Sequence, residues 1–438
     1  MGGKSRMIWN ETKECMSRDQ IETLQSARLK KMVSSVYHNV EFYRKKMQQL
    51  GIEPGDIRGI EDLHKLPYTT KEDLRENYPF GLFAIPQSQV VRIHASSGTT
   101  GKATVVGYSR RDIEIWQECV ARCLCMADIG AHDKIQISYG YGMFTGGLGV
   151  HYGAENLGAT VIPMSVGNTK KQITMMQDFG VTAIACTPSY LLHIAETLEE
   201  ASMIRDIKLK KAICGAEPWT ENMRREIENK LNITCHDIYG LSEVMGPGVA
   251  ADCEVHNGMH VWEDHFLPEI INPETLAPVA PGETGELVFT TLTKEALPLF
   301  RYRTKDLTSI TYEPCECGRT FARISRFKGR SDDMLIIRGV NVFPSQVESA
   351  LLEIGETSPH YQLIVDRVNN LDTLMVLVEV EERFFSDEIR KLEGLTHRIA
   401  ETLQQALGLA VKVKLVEPKT IERSNGKAKR VIDRRKFI

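Results

Sequence analysis

Residues 90–102 read VVRIHASSGTTGK, an apolar strand candidate followed by a turn rich in glycine and hydroxyl side chains. Glycines let the backbone approach a ligand closely, hydroxyls donate hydrogen bonds, and Lys102 adds positive charge. Together these are the properties of a loop that holds phosphates. The loop is not a Walker A motif, because two residues instead of four separate its glycines and Ala103 follows the lysine. A solvated turn is the alternative reading of this stretch taken alone.

Outward from this stretch, short apolar strand candidates alternate with helical stretches between about residues 90 and 250. Residues 111–126 have the pattern of a helix, and the later strand candidates are residues 134–138, 159–163, 183–186 and 211–214. Such alternation predicts an α/β architecture with a largely parallel sheet.

Other regions of the chain have different patterns. Residues 20–49 carry apolar side chains at helical spacing, and about residues 255–325 are rich in strand candidates. The last hundred or so residues predict a small α+β domain, with strands at 362–365, 373–380 and 411–416 and a helix at 386–407. The polar run at residues 329–333 is the predicted boundary.

Composition limits the class of protein. The chain has 438 residues, 42% hydrophobic and 26% charged, which predicts a globular protein of more than one domain. A net charge of −4 argues against bulk attraction to nucleic acid or anionic membranes. We see no apolar stretch of about 18 residues and no apolar core of a signal peptide. The ten cysteines are scattered, so we expect reduced thiols or metal ligands in a cytoplasmic protein.

Four more segments carry possible chemistry. In residues 237–243 (DIYGLSE), an aromatic beside a glycine can stack on a base, and a carboxylate one turn away can hold Mg²⁺ bound to phosphates. In residues 301–306 (RYRTKD), Asp306 can accept hydrogen bonds from ribose hydroxyls, and a surface salt-bridge cluster is the alternative. Residues 329–333 (GRSDD) and 424–427 (SNGK) complete the set.

These five motifs, in this order, resemble the adenylate-forming acyl-CoA synthetase superfamily. Three longer strings narrow the resemblance to its phenylacetate–CoA ligases: residues 239–248 (YGLSEVMGPG), 260–265 (HVWEDH) and 292–299 (LTKEALPL). The resemblance extends from about residue 68 to residue 435. It implies that a carboxylic acid attacks the α-phosphate of MgATP to give an acyl-adenylate, and that the thiol of coenzyme A then expels AMP.

The resemblance also implies roles for individual residues. The β- and γ-phosphates are expected at Ser97, Gly98, Thr99, Thr100, Gly101 and Lys102. The adenine is expected at Gly215, Ala216, Glu217 and Pro218 and at Asp237, Ile238, Tyr239 and Gly240. The ribose hydroxyls are expected at Asp306 and Arg330, and Mg²⁺ at Glu243. Lys427 is expected to bridge the carboxylate and α-phosphate oxygens in the transition state, with Lys429 as the second choice.

By the same resemblance, residues 1–329 form a large AMP-binding domain of several subdomains. Residues 330–332 form a hinge, in which Asp332 matches the family's hinge position, and residues 333–438 form a small mobile α+β domain. Residues 139–147 match the position of the family's aromatic-substrate pocket, and we select Tyr139, Phe144 and Gly146 as its lining. A packed loop is the alternative reading. A homodimer is expected from the resemblance alone.

The cysteines suggest a metal site in the β-rich part. Cys315 and Cys317 form a tight Cys-x-Cys turn, and Cys253 and His260 lie upstream. Three cysteines and a histidine are a tetrahedral zinc set, so we predict structural Zn²⁺ at these four residues. His256 is the alternative fourth ligand, and reduced free thiols are the alternative to a metal.

Competing functions remain open at this point. Within the superfamily, the acid can be phenylacetate, indoleacetate or another aromatic acid, or the reaction can be adenylyl transfer to a deazaflavin coenzyme. A nucleotide-binding sensor without ligase activity belongs to a different class. Lys427 and Glu243 argue against the sensor, because neither is needed merely to bind a nucleotide.

Overall fold

The computed structural model describes residues 7–96, 103–331, 335–338, 340–355, 357–368, 371–380, 389–423 and 428–435. The helices are α1 Glu11–Glu14, α2 Arg18–Asn39, α3 Glu41–Gln49, α4 Lys71–Glu76, α5 Arg110–Met126, α6 Gly146–Leu157, α7 Thr169–Phe179, α8 Pro188–Glu200, α9 Glu221–Leu231, α10 Pro344–Ile354 and α11 Ile389–Leu407. None of the helices within these ranges is both long and apolar enough to cross a membrane.

The strands follow in chain order. They are β1 Arg92–Ser96, β2 Thr104–Tyr108, β3 Lys134–Ile137, β4 Thr160–Pro163, β5 Ala183–Cys186, β6 Lys211–Gly215, β7 Thr234–Leu241, β8 Gly246–Asp252, β9 Met259–Val261, β10 Phe266–Ile271, β11 Gly285–Thr291, β12 Tyr302–Thr308, β13 Ile310–Thr311, β14 Arg323–Ile324, β15 Gly329–Arg330, β16 Leu335–Ile337, β17 Val340–Val342, β18 Thr357–Val368, β19 Leu371–Val380, β20 Lys412–Val416 and β21 Val431–Asp433.

Contacts within the chain divide it into two compact units. The first contains Met1–Cys186, Arg205–Ala216 and Thr234–Arg326, and the second contains Thr187–Ile204, Glu217–Ile233 and Phe327–Ile438. The second unit therefore includes α8 and α9 together with the C-terminal residues.

A nine-stranded sheet forms the centre of the first unit, in the order β13-β14-β9-β8-β7-β6-β5-β3-β4. The pairs from β4 to β7 are parallel, and those from β7 to β13 are antiparallel. The central parallel strands β5 and β6 are almost wholly apolar and buried, as expected for strands covered on both faces. This confirms the α/β prediction for residues 90–250.

The first unit also contains two smaller sheets. β1 and β2 form an antiparallel hairpin whose last pair is Ser96 with Thr104. β10, β11 and β12 form an antiparallel sheet in the β-rich part of the chain, as predicted.

The N-terminal region is helical, in agreement with the apolar spacing of residues 20–49. The helix is divided in two: α2 ends at Asn39 and α3 begins at Glu41, with Val40 extended between them (φ −118°, ψ 104°). Neither glycine nor proline marks this break. The α2 helix begins with a capping box between Ser17 and Gln20.

The C-terminal part of the second unit is an α+β fold, as predicted. Its sheet has the order β20-β19-β18-β21, with β18 and β19 antiparallel and the outer strands parallel to their neighbours. Apolar side chains of α10, α11 and the sheet form one core, which includes Val347, Leu351, Leu363, Val376 and Ile399.

Candidate active site

Two residues predicted to bind the nucleotide lie together at the end of β7 and in the middle of β12. The hydroxyl of Tyr239 donates a 2.7 Å hydrogen bond to Oδ2 of Asp306. The Tyr239 ring also lies against Phe289 of β11, with centroids 6.4 Å apart and planes at 29°. A flat ring therefore stands beside a carboxylate, which suits a base and a ribose.

Close backbone approach explains the glycine at the end of β6. Gly215 pairs with Ile238 of β7, and a Cβ on Gly215 would lie 2.1 Å from the Ile238 carbonyl oxygen. Only glycine fits there. The next residue, Ala216, has φ +70°, a conformation that is strained for a residue with a side chain.

The turn between β7 and β8 carries Glu243. Its side chain is buried, and Lys71 Nζ at the start of α4 lies 3.4 Å from Glu243 Oε1. Beside it, the hydroxyls of Ser242 and Thr145 are hydrogen-bonded at 2.9 Å. The first unit thus places a buried carboxylate next to an ammonium group, which suits a hard cation bound to phosphate oxygens.

Several predicted residues lie outside the described part of the chain. They are Ser97, Gly98, Thr99, Thr100, Gly101, Lys102, Asp332 and Lys427. On either side of the hydroxyl-rich segment, Ser96 Oγ and Thr104 Oγ1 are buried and have no hydrogen-bond partner among the described residues.

The predicted acyl pocket begins where β3 meets α6. Tyr139 is buried, and its hydroxyl donates a 2.6 Å hydrogen bond to the Cys186 carbonyl. Gly146 lies against the Tyr139 side chain, since a Cβ there would be 3.5 Å from Tyr139 Cβ. Phe144 is 51% exposed. The structure brings Tyr139 and Gly146 together and leaves Phe144 largely uncovered.

Three of the predicted nucleotide-binding residues belong to the second unit. Arg330 lies on β15, and Glu217 and Pro218 follow β6. The Glu217 carboxylate accepts hydrogen bonds from two backbone amides, Ser189 N at 2.7 Å and Ala428 N at 3.0 Å.

The four predicted zinc ligands lie together in the first unit. Cys253, His260, Cys315 and Cys317 are all buried, and their ligand atoms lie within 4.8 Å of one another. The Sγ atoms of Cys253 and Cys315 are 3.7 Å apart, and Cys317 Sγ is 3.4 Å from His260 Nε2. With Zn–S bonds of about 2.3 Å, sulfur ligands of one tetrahedral ion lie roughly 3.8 Å apart, so the donor set fits zinc.

The second ring nitrogen of His260 is also placed for metal binding. Its Nδ1 lies 3.2 Å from the Phe321 carbonyl oxygen and can donate a hydrogen bond to it. Such a bond leaves Nε2 unprotonated and directed at the cysteines.

The alternative ligand, His256, has a different partner. Its Nδ1 lies 2.7 Å from Oδ2 of Asp252, and His236 Nδ1 lies 3.3 Å from the other oxygen of that carboxylate. Burial alone would raise the pKa of Asp252, but the neighbouring His236 and His256 imidazoles hold that pKa below its ordinary value. Asp252 also accepts a 2.7 Å hydrogen bond from the Asp237 amide.

Comparison with known proteins places the chain in a family. Residues 39–292 match the AMP-binding enzyme family, and residues 339–435 match the AMP-binding enzyme C-terminal domain. A phenylacetate–coenzyme A ligase of Escherichia coli (strain K12) is 52% identical over 97% of both chains. One from Thermus thermophilus is 48% identical over 98% of this chain and the whole of the relative. This chain belongs to the phenylacetate–CoA ligase family.

Solved structures agree with this family assignment. A 2-hydroxyisobutyryl-CoA ligase in its postadenylation state, in complex with 2-HIB-AMP, has a TM-score of 0.93 at 28% identity, over 99% of this chain and 94% of the other. The same ligase with 2-HIB-AMP and CoA, in the thioesterification state, has a TM-score of 0.73 at 29% identity, over 99% and 93%.

Sequence reasoning missed several residues of this candidate site. Lys71 beside Glu243, Thr145 beside Ser242 and Phe289 beside Tyr239 were not selected. The only local signal near Lys71 is the capping box between Thr70 and Asp73, which marks a helix start. Nothing in that signal points to a carboxylate 172 residues further along the chain.

Proposed function

We propose that this protein is an ATP-dependent ligase that activates phenylacetate or a related arylacetic acid as an acyl-adenylate. It then transfers the acyl group to coenzyme A and releases AMP and pyrophosphate. The observation that carries the proposal is the 48–52% identity to phenylacetate–CoA ligases over nearly the whole chain. The Tyr239–Asp306 wall and the buried Glu243 support it.

Adenylation solves the problem of a poor leaving group. A carboxylate oxygen attacks the α-phosphorus of ATP, a P–O bond forms, and the bond to pyrophosphate breaks. The acyl carbon then carries AMP as its leaving group in place of oxide. In the second half-reaction the thiol of coenzyme A attacks that carbon, loses its proton, and AMP departs.

The residues divide this work between them. Tyr239 stacks on the adenine, Asp306 accepts hydrogen bonds from the ribose hydroxyls, and Arg330 donates hydrogen bonds to them. The hydroxyl-rich segment with Lys102 holds the β- and γ-phosphates. Glu243 is the carboxylate that would hold Mg²⁺, which neutralises charge on the phosphate oxygens when bound. Lys427 stabilises the charge that concentrates on the α-phosphate during attack.

Aromatic side chains determine which acid the site accepts. Tyr139 presents a buried ring, and Gly146 leaves room beside that ring for a flat substrate. An aryl group gains edge-to-face contacts in such a place, and an aliphatic acid does not.

A direct assay tests the proposal. Purified protein is incubated with ATP, Mg²⁺, coenzyme A and a panel of aromatic and aliphatic acids, and thioesters are read by mass spectrometry. We expect a thioester with phenylacetate at a higher kcat/KM than with aliphatic acids, and pyrophosphate release that depends on the acid. If a thioester forms with indoleacetate only, the substrate assignment changes from phenylacetate to indoleacetate. Acid-independent nucleotide binding without any thioester would overturn the ligase.

We further propose a structural Zn²⁺ at Cys253, His260, Cys315 and Cys317. The support is the convergence of four buried soft donors at distances that suit a tetrahedral ion. The ion would join the loop after β8 to the loop before β14.

Removal of one thiolate tests the zinc. Cys317→Ser should lower zinc from about one ion per chain to a small fraction and lower the melting temperature by several degrees, because the metal stabilises only the folded state. Elemental analysis and calorimetry measure both quantities. Cys15→Ser, which changes a half-buried thiol outside the four ligands, should change neither. The site would be refuted if wild-type protein freed of metal had the same melting temperature as wild-type protein supplied with zinc.

Assembly and location follow from the same proposal. We propose a homodimer by resemblance, and a cytoplasmic location because ATP and coenzyme A are the substrates. Light scattering on the purified protein measures the assembly, and a monomer mass would refute the dimer.

A further inference from the structure

The Glu217 side chain makes an unusual connection within the second unit. Its Oε1 accepts the 2.7 Å hydrogen bond from Ser189 N, and its Oε2 accepts the 3.0 Å bond from Ala428 N. Bonds from amides to a charged acceptor are stronger than neutral ones. One carboxylate therefore joins two backbone positions that are 239 residues apart in sequence.

Ser189 N lies in the first turn of α8. The N-cap residue of α8, Thr187, makes no side-chain capping bond, so Glu217 takes over the cap from outside the helix. A carboxylate at a helix N-terminus is also favoured by the helix dipole. These contacts fix Glu217 on a rigid element.

Ala428 follows directly after Lys427. Its amide nitrogen belongs to the planar peptide group that joins it to residue 427. On the other side, the Arg430 carbonyl accepts a 2.8 Å bond from Leu363 N, and β21 pairs with β18. From Ala428 onward the chain is therefore held by Glu217 and then by the sheet.

Charges around this connection favour a single arrangement. Arg430 stacks over the Tyr361 ring at 4.4 Å and lies 3.3 Å from Glu348. The partly buried Arg430 guanidinium balances the two carboxylates, Glu217 and Glu348, that act on it. Residues 428–430 are thus bound by charge and by backbone bonds.

We propose that Glu217 is a positioning residue for Lys427, which holds the lysine for adenylation by fixing the Ala428 amide. This inference rests on the proposed function and gives Glu217 a role different from the adenine contact that the sequence suggested. The bond must break whenever Lys427 leaves its adenylation position. Glu217 therefore acts on the first half-reaction and not on the second.

Substitution of Glu217 separates the two half-reactions. Glu217→Gln keeps the size of the side chain but has one carbonyl oxygen for two amides, and Glu217→Ala has none. We expect acid-dependent pyrophosphate exchange at saturating ATP to fall by about tenfold in Glu217→Gln and further in Glu217→Ala. Thioester formation from preformed acyl-adenylate should be unchanged or faster. KM for ATP should change little.

Two controls distinguish positioning from a structural effect. Glu200→Gln removes an exposed ion pair with Lys419, 2.8 Å long, on the same helix α8, and should leave both half-reactions intact. In a Lys427→Ala background, Glu217→Gln should have no further effect on adenylation, since it acts through the lysine. A helix-cap role alone predicts a lower melting temperature in both backgrounds with the half-reactions slowed equally.

Amide hydrogen exchange gives a readout that needs no activity. With selective ¹⁵N-alanine labelling, the Ala428 amide should exchange at least tenfold faster in the Glu217 variants than in the wild type. Exchange that is equally slow in the variants, additive effects in the double mutant, or a rise in ATP KM alone would each overturn the proposal. A wild-type protein without acid-dependent pyrophosphate exchange would refute the proposed function. The hydrogen-exchange rate of the Ala428 amide would still decide whether Glu217 holds that amide.

Discussion

At the scale of single residues, Lys294 stands out among buried charges. Its Nζ lies 3.4 Å from the centroid of the Tyr108 ring and has no hydrogen-bond partner among the described residues. The other face of Tyr108 is stacked on Trp116, with centroids 5.0 Å apart. Burial lowers the pKa of Lys294 to about 8, with the Asp112 carboxylate acting in the opposite direction.

This lowered pKa predicts how stability depends on pH. In the unfolded chain the lysine keeps its proton up to about pH 10.5, so between pH 8 and pH 10.5 the unfolded state binds more protons. Below pH 8 the buried charge lowers the free energy of unfolding by its full amount. This loss of stability disappears as pH rises to 10.5. In urea unfolding, Lys294→Met should therefore be more stable than wild type at pH 7, with an advantage of up to about 3 kcal/mol that shrinks by pH 10. A constant difference between the two proteins across this range would contradict the assignment.

Single residues also show what sequence can reveal. Cys253, His260, Cys315 and Cys317 could be selected because few side chains bind zinc, and all four lie together in the structure. Lys71 could not be selected, because any surface lysine looks the same in sequence. The contact between Lys71 and Glu243 is formed only in the tertiary structure.

At the scale of elements, strand and helix positions were predictable where apolar periodicity is strong. Residues 111–126 and 134–138 were expected as helix and strand, and α5 and β3 lie there. The break at Val40 was not predictable, because the chain turns there without a glycine or proline. The reason is tertiary: Tyr43 on α3 hydrogen-bonds Thr69 at 2.8 Å and packs against Phe300.

The β7–β8 turn gives a prediction about packing. Gly246 has φ +112°, and a Cβ there would lie 2.4 Å from Trp116 Cζ2 on α5. Gly282 has φ +89°, with nothing within 4 Å of such a Cβ. Both alanine variants carry backbone strain of about 1–2 kcal/mol, but only Gly246→Ala adds overpacking of about 1–3 kcal/mol. Urea unfolding should show the larger loss of stability for Gly246→Ala. Equal losses of stability in the two variants would mean that Trp116 moves aside freely.

At the scale of the whole molecule, the reaction requires the two half-reactions to use different groups. Lys427→Ala should slow adenylation by about 10²–10³-fold, because it removes charge stabilisation in that transition state. Conversion of a preformed acyl-adenylate to thioester should be spared. Quenched-flow measurement of each half-reaction tests this. Lys429→Ala is the matched control, and a larger adenylation defect in Lys429→Ala would transfer the role to that residue.

The hinge gives the last prediction. The family resemblance assigns Asp332, outside the described residues, to a position where a few backbone angles change between half-reactions. Proline fixes φ near −65° and removes an amide donor, so Asp332→Pro should favour one conformation. Single-turnover rates should then show one half-reaction slowed at least tenfold and the other retained. Asp332→Ala keeps the backbone free and should leave both rates within about twofold of wild type. Unchanged rates for both halves in the proline variant would remove the hinge from this position, and equal slowing of both would indicate damage to the fold instead.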